Sequence, residues 1–257
     1  MIKQDLITFF KNIIKKIFLI FNLRISRTTR FEEYPIEAED NIKKFINLSN
    51  QYSMTGKKRM YILWQAVFNA KIKNLNGEFV ECGVWRGGNV LLFKLLNDYY
   101  NLNKSIFAYD TYDGMTQPEN IDINFEGNSA KNLMKINSKN DKLDNIHCFT
   151  TIEEVKKNIS KHTSLKNINF IKGPVESTLL EEKNLPKNIA VLRLDTDFYS
   201  STKIELNILY PRLVSGGVII IDDYGYWAGS RRAVDEYFSE KDWLHIVDDD
   251  CRYIIKN

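Results

Sequence analysis

Five short runs rich in Val, Ile, Leu and Phe recur along the chain: EFVEC (78–82), SIFAYD (105–110), NINFIKG (167–173), IAVLRLD (189–195) and GGVIIIDDY (216–224). Strands so continuously apolar are buried on both faces, and parallel pairing needs a helical crossover between them. Helical periodicity is read over 57–73, 89–99, 127–136, 152–161, 202–210 and 231–238. Thr202 and Glu205 have capping-box spacing at the start of the 202–210 helix. Two closing runs, LHIVDD (244–249) and RYIIK (252–256), are joined too tightly for a parallel crossover and are expected to pair antiparallel. The predicted fold class is α/β, a mostly parallel seven-stranded sheet ending in an antiparallel hairpin, with helices on both faces.

Composition narrows the function classes. The 257 residues are 44% hydrophobic and carry a net charge of +3 from 36 basic and 33 acidic side chains. That balance speaks against a chain built to hold nucleic acid. Cys82, Cys148 and Cys251 share no metal-ligand spacing and sit in apolar contexts, as expected of thiols in a reducing compartment. The longest apolar run near the start, 17–21, is too short to span a bilayer. Residues 1–25 place Ile2, Leu6, Phe10, Ile13, Ile17 and Phe21 at helical spacing among Lys3, Lys11, Lys15, Lys16 and Arg24. This reads as an amphipathic helix, able to lie on an anionic membrane surface or to pack on the body or a second subunit. A cytoplasmic homo-oligomer is expected, with residues 1–25 offering contact with the inner face of a membrane. Two parts follow, an N-terminal helix and cover segment (1–56) and a catalytic domain (57–257).

The first strand ends in Glu81-Cys82-Gly83-Val84-Trp85-Arg86-Gly87-Gly88. Glycines there let the backbone approach a ligand, and the following helix N-terminus offers free N–H groups. The pattern is not the G-x-G-x-x-G of dinucleotide binding, which counts against an NAD-dependent oxidoreductase. An acid at Glu81 repels a pyrophosphate and attracts an ammonium, which fits S-adenosylmethionine. Asp110, ending the second strand, suits a ribose, and Tyr112 an adenine.

Strands four and five end in Asp195-Thr196-Asp197 and Asp222-Asp223. Parallel strands bring these acids to the same rim as the glycine turn. Arg193, on the face opposite its immediate neighbours, is not expected to serve all three of Asp195, Asp222 and Asp223. Acids gathered there need a cation, and all-oxygen donors select a hard one, Mg²⁺ first. Asp195, Asp222 and Asp223 are the candidate metal ligands. Asp195 is the first candidate for the catalytic base and Asp197 the second.

The segments FVECGVWRGGN (79–89), AYDTYDGM (108–115), VLRLDTDFYSST (191–202), YPRLVSGGVIIIDDYG (210–225) and GSRRAVDEY (229–237) together resemble the macrocin O-methyltransferase family, which methylates sugar hydroxyls of natural products. The resemblance covers most of 52–240. It implies a Rossmann-like class I methyltransferase fold and an O-methyltransferase dependent on S-adenosylmethionine and Mg²⁺, with a sugar or glycoconjugate acceptor. It carries Glu81, Gly83 and Gly87 to the methionine end of the cofactor, Asp110 to its ribose, and Asp195, Asp222 and Asp223 to the metal. YSMT (52–55) resembles the family segment that closes over the cofactor, which adds Met54 and Thr55; Arg86 and Gly88 join them from the glycine turn. Glu176 stands where the family has an acid followed by Thr-Leu-Pro, but here Ser177-Thr178-Leu179-Leu180 follows. The Lys- and Asn-rich body and basic N-terminus point to a cell-surface glycan or a lipid-linked precursor as the sugar carrier. The alternatives are a protein of the same fold in another reaction class and a non-catalytic glycan-binding protein.

Overall fold

The structure, a computed structural model, describes residues 34, 35, 37–136, 146–238 and 244–257. The chain divides into two units, Met1–Glu37 and Ala38–Asn257, and everything described below lies in the second. The amphipathic segment at 1–25 falls outside the described residues. Residues 38–56, from the expected N-terminal helix and cover segment, belong to the second unit. Helix α1 (Asp40–Asn50) buries Ile42 and Ile46. Helix α2 (Lys57–Ile72) follows, burying Met60, Leu63, Trp64 and Val67.

From β1 (Glu78–Cys82) the chain alternates as the apolar runs require: α3 (Gly88–Tyr99), β2 (Ile106–Asp110), α4 (Ala130–Ile136), α5 (Ile152–Ser160), β3 (Ile168–Lys172), a short α6 (Val175–Thr178), β4 (Ile189–Leu194), α7 (Tyr199–Leu209), β5 (Leu213–Ile221), α8 (Ala228–Tyr237), β6 (His245–Ile246) and β7 (Arg252–Ile255). The seven strands lie in the order β3-β2-β1-β4-β5-β7-β6. The first five pair in parallel, and β7 pairs antiparallel with both β5 and β6. All six residues of β4, at the centre, are buried. The edge strand β3 is partly exposed, which accommodates Asn169 and Lys172.

The order turns back between β1 and β4. From β1 the next strand is added on one side, and from β4 on the other. The two following connections diverge and leave a crevice at the carboxyl ends of β1 and β4, where open α/β sheets bind ligands.

Helix α7 begins at Tyr199, not Thr202, so Thr202 and Glu205 form no capping box; both are buried inside the helix. The first N–H is capped from outside, Tyr199 N–H donating to Asp122 Oδ1 at 2.9 Å. Asp122 is fully buried and also accepts from Glu119 N–H, which fixes the 119–129 loop against α7.

Candidate active site

A cavity of about 490 Å³ occupies the crevice, lined among others by Met54, Thr55, Arg59, Gly83, Asp110, Asp195, Asp197, Asp222, Asp223 and Tyr226. Its floor is the glycine turn. Gly83 adopts φ +84°, and a Cβ there would lie 1.9 Å from the Asp195 carbonyl oxygen. Only glycine lets β1 leave the sheet so close to the end of β4. The turn is held by Asp110: Oδ2 accepts from Val84 N–H (2.7 Å) and Trp85 N–H (3.0 Å), and Oδ1 accepts from Tyr112 N–H (2.7 Å). Asp110 still faces the cavity, and a carboxylate has acceptor sites beyond those three.

Several residues expected to touch a cofactor lie elsewhere. Tyr112 is 2% exposed, its hydroxyl donates to the Ala108 carbonyl, and its ring packs near Phe170, so it presents no face to an adenine. Gly87 and Gly88 are glycines for packing. A Cβ on Gly87 would meet Val155 at 2.9 Å, and one on Gly88 would meet Ser53 at 2.5 Å. The Gly88 N–H is already bonded to the Tyr52 carbonyl. Arg86 pairs with Glu154 at 3.3 Å, away from the cavity. Glu176 does not reach the cavity wall. Met54 and Thr55 do line it, supporting a role for the 52–55 segment beside the turn.

Glu81 and Arg193 form the buried base of the site. Side chains two apart on a strand share a face, so Arg193 and Asp195 point the same way. Register places Glu81 opposite Arg193 on β1 and Ile220 opposite it on β5, and two residues beyond Ile220 is Asp222. The guanidinium therefore meets three carboxylates: Glu81 Oε1 at 2.9 Å, Asp195 Oδ2 at 2.7 Å and Asp222 Oδ1 at 2.7 Å. A fourth bond runs to Thr55 Oγ1 at 2.9 Å. Of the three strand-tip acids Arg193 thus serves two, Asp195 and Asp222, and not Asp223; the Asp195 carboxylate lies on its face, not on that of its neighbours. Burial pushes the Glu81 carboxyl up to about 7, against the pull of Arg193. At 1% exposure Glu81 lies beneath the cavity and does not line it.

Asp222 is held from both sides. Its Oδ2 accepts from Arg59 Nη1 at 2.6 Å, and Arg59 also pairs with Asp248 (2.7 Å) and Asp250 (3.0 Å) in the β6–β7 turn. Burial disfavours the Asp222 charge, but Arg193 and Arg59 outweigh it and hold its carboxyl below the usual range. Arg59 has no signal in the sequence: it lies on an amphipathic helix, far along the chain from its three acids.

Of the strand-tip acids, Asp197 and Asp223 have no guanidinium partner among the described residues, and with Asp195 they bring carboxylate oxygens within 4.8 Å of one another. Asp223 Oδ2 is buried with no hydrogen-bond partner. Burial pushes the Asp223 carboxyl well above the usual range, and Asp197, Asp195 and Asp222 push it further. Burial also holds Asp197 up at about 6, while the Trp227 indole N–H donates to its Oδ2 at 3.2 Å. Asp197 adopts φ +68°, a left-handed backbone that a non-glycine residue keeps only where its surroundings enforce it. Asp222, which also lines the cavity, carries the arginine pairs, and the acid that gathers with Asp195 and Asp223 is Asp197.

Residues 11–254 match the family model described as Macrocin-O-methyltransferase (TylF). The chain belongs to this family. It is an S-adenosylmethionine-dependent O-methyltransferase, as membership and the class I fold together establish. Among curated members, it is 31% identical over 211 residues to the demethyldecarbamoylnovobiocin O-methyltransferase of Streptomyces niveus, covering 80% of this chain and 76% of that one. It is also 31% identical to the 8-demethyl-8-(2,3-dimethoxy-alpha-L-rhamnosyl)-tetracenomycin-C 4'-O-methyltransferase of Streptomyces olivaceus, covering 72% of this chain and 67% of that one. The solved structure of the O-methyltransferase NovP superposes with a TM-score of 0.70 at 25% identity, covering 84% of this chain and 98% of NovP. No described helix of this family member is long and apolar enough to cross a membrane.

Proposed function

We propose that the chain transfers the methyl group of S-adenosylmethionine to a sugar hydroxyl of a glycan or glycosylated metabolite, with a divalent cation, Mg²⁺ first, held by Asp195, Asp197 and Asp223. The observation that carries this reading is the cluster of three carboxylates facing the cavity, with one buried oxygen left without a partner. Like charges so close are unstable unless protonated or bridged, and oxygen-only donors fit a hard cation. A bound cation there would polarise an acceptor hydroxyl and lower its pKa. The sugar class is supported by the rhamnosyl group in the printed name of one relative.

The chain's own residues supply the rest. Ser53, Met54, Thr55, Gly83, Val84, Trp85 and Asp110 line the part of the cavity nearest the glycine turn and would hold the cofactor. Asn124, Glu126, Leu133, Ile146 and Tyr226 line the remainder and would receive the acceptor. Arg193 fixes Asp195 through Oδ2, which leaves Oδ1 for the cation. No guanidinium touches Asp197 among the described residues, and the neutral Trp227 indole donates to it. Burial pushes the Asp195 carboxyl well above the usual range despite Arg193, whereas Asp197 is held at about 6, so Asp197 is the better placed of the two to take a proton near neutral pH.

The test is methyl transfer from labelled S-adenosylmethionine to a panel of glycosides, with Mg²⁺ and with EDTA. Turnover that depends on the cation and is lost in Asp223→Asn is expected. Full transfer in EDTA would remove the cation from the reaction, and transfer to phenols but to no glycoside would overturn the acceptor class.

A further inference from the structure

Glu205 is fully buried on α7, and no cation pairs with it among the described residues. Its Oε1 accepts a hydrogen bond from Thr196 Oγ1 at 2.9 Å, while Oε2 has no partner. A carboxyl in that position is costly, and an apolar side chain would fill the space without the penalty. Thr196 lies between Asp195 and Asp197, two of the three acids of the cluster. Helical side chains tilt toward the N-terminus of their helix, so Glu205 reaches back over the first turns of α7 to the loop that precedes it.

The loop needs such a tie. Upstream, Asp195 N–H is bonded to the Cys82 carbonyl of β1. Downstream, the Thr196 carbonyl accepts from Phe198 N–H at 2.8 Å and from Ser201 Oγ at 3.3 Å. Between them Asp197 stands in the left-handed region, which aims its carboxylate at Asp223 and the Trp227 indole. Glu205 adds a tie from the body of α7 to the side chain of Thr196, between the two acids.

We infer that Glu205 is a positioning residue for the reaction: through the Thr196 hydroxyl it holds the Asp195–Asp197 loop in the strained conformation that gathers the acids. The inference rests on the reading above that Asp195 and Asp197 take part in the chemistry. Burial pushes the Glu205 carboxyl well above the usual range, and glutamine, which keeps the acceptor oxygen, is its near-isostere.

The experiment is amide hydrogen exchange of the 194–199 segment in the full-length, cation-free chain, with steady-state kinetics alongside. Thr196→Val and Glu205→Leu are each expected to speed exchange at Asp197 and Phe198 by about fivefold, the value of one hydrogen bond. In both, kcat is expected to fall about tenfold with KM for S-adenosylmethionine unchanged, as when a supporting contact is lost. Glu205→Gln keeps the acceptor oxygen and is expected to stay within about twofold of wild type. The double variant Thr196→Val/Glu205→Leu is expected to be no worse than either single one, because both remove the same bond. Wild-type exchange and kcat in a well-folded Thr196→Val would overturn the inference, as would additive losses in the double variant. If Glu205→Leu fails to fold, Thr196→Val decides alone. Turnover that ignores EDTA defeats the cation reading, but the exchange measurement, made without cation, still decides this one.

Discussion

At the scale of single residues, the site is governed by how its charges are shared. Arg193 is 1% exposed and bonded to Glu81, Asp195 and Asp222. Replacing it by leucine leaves three carboxylates in the interior with Arg59 alone beside one of them. Arg193→Leu is expected to lose about 3–5 kcal/mol of stability in urea denaturation, the usual result of removing one partner from a buried ion pair. A loss below about 1 kcal/mol would mean the network is hydrated like a surface salt bridge. Asp197 carries the opposite sign. Burial raises its pKa from 3.8 to about 6 in the folded chain. The folded state therefore binds that proton more tightly than the unfolded state, and the stability this confers is present at low pH and lost as pH rises through 4 to 6. Asp197→Asn cannot ionise, so in the cation-free protein its Tm is expected to exceed that of wild type above pH 6, with the gap closing below pH 4. A gap independent of pH would show that Asp197 is not held against its own charge.

At the scale of elements, the turn after β1 and the loop after β4 are built against each other. Gly83→Ala would bring a Cβ within 1.9 Å of the Asp195 carbonyl oxygen, on a backbone already at φ +84°. It is expected to cost about 3 kcal/mol and to weaken S-adenosylmethionine binding. Gly127 has nearly the same φ, +85°, but open space around it. Gly127→Ala is expected to cost only about 1 kcal/mol with binding unchanged, so chemical denaturation and cofactor titration of the pair separate strain from collision. The elements themselves were legible in the sequence because their signals are local: the apolar runs at 78–82 and 189–195 fall on β1 and β4 within a residue. The start of α7 was not, because its cap, Asp122, is remote in sequence and two polar residues inside the helix imitated a cap. The acids at the strand tips were legible as a group. Their division was not, since which of them faces Arg193 depends on strand register and on Arg59, neither of which a composition pattern records. Tyr112 failed for a similar reason: φ +48° turns the backbone and sends its ring into the core.

At the scale of the whole molecule, the reversal of strand order between β1 and β4 brings the glycine turn and the acids into one crevice. The cavity is continuous from Met54 to Tyr226, so two ligands would sit in contact within it. If the cation belongs only to the acceptor half, then EDTA is expected to abolish turnover while leaving the affinity for S-adenosylmethionine within about twofold, as read by calorimetry. Loss of both together would place the cation in the cofactor half instead.

Arg59 comes early in the chain, yet two of its three carboxylates, Asp248 and Asp250, belong to the last turn before β7. Without that turn Arg59 has only Asp222 to bind. A segment far from the glycine turn thus finishes the centre, and a chain cut before Asp248 would keep the strand-tip acids while losing the clamp that holds one of them.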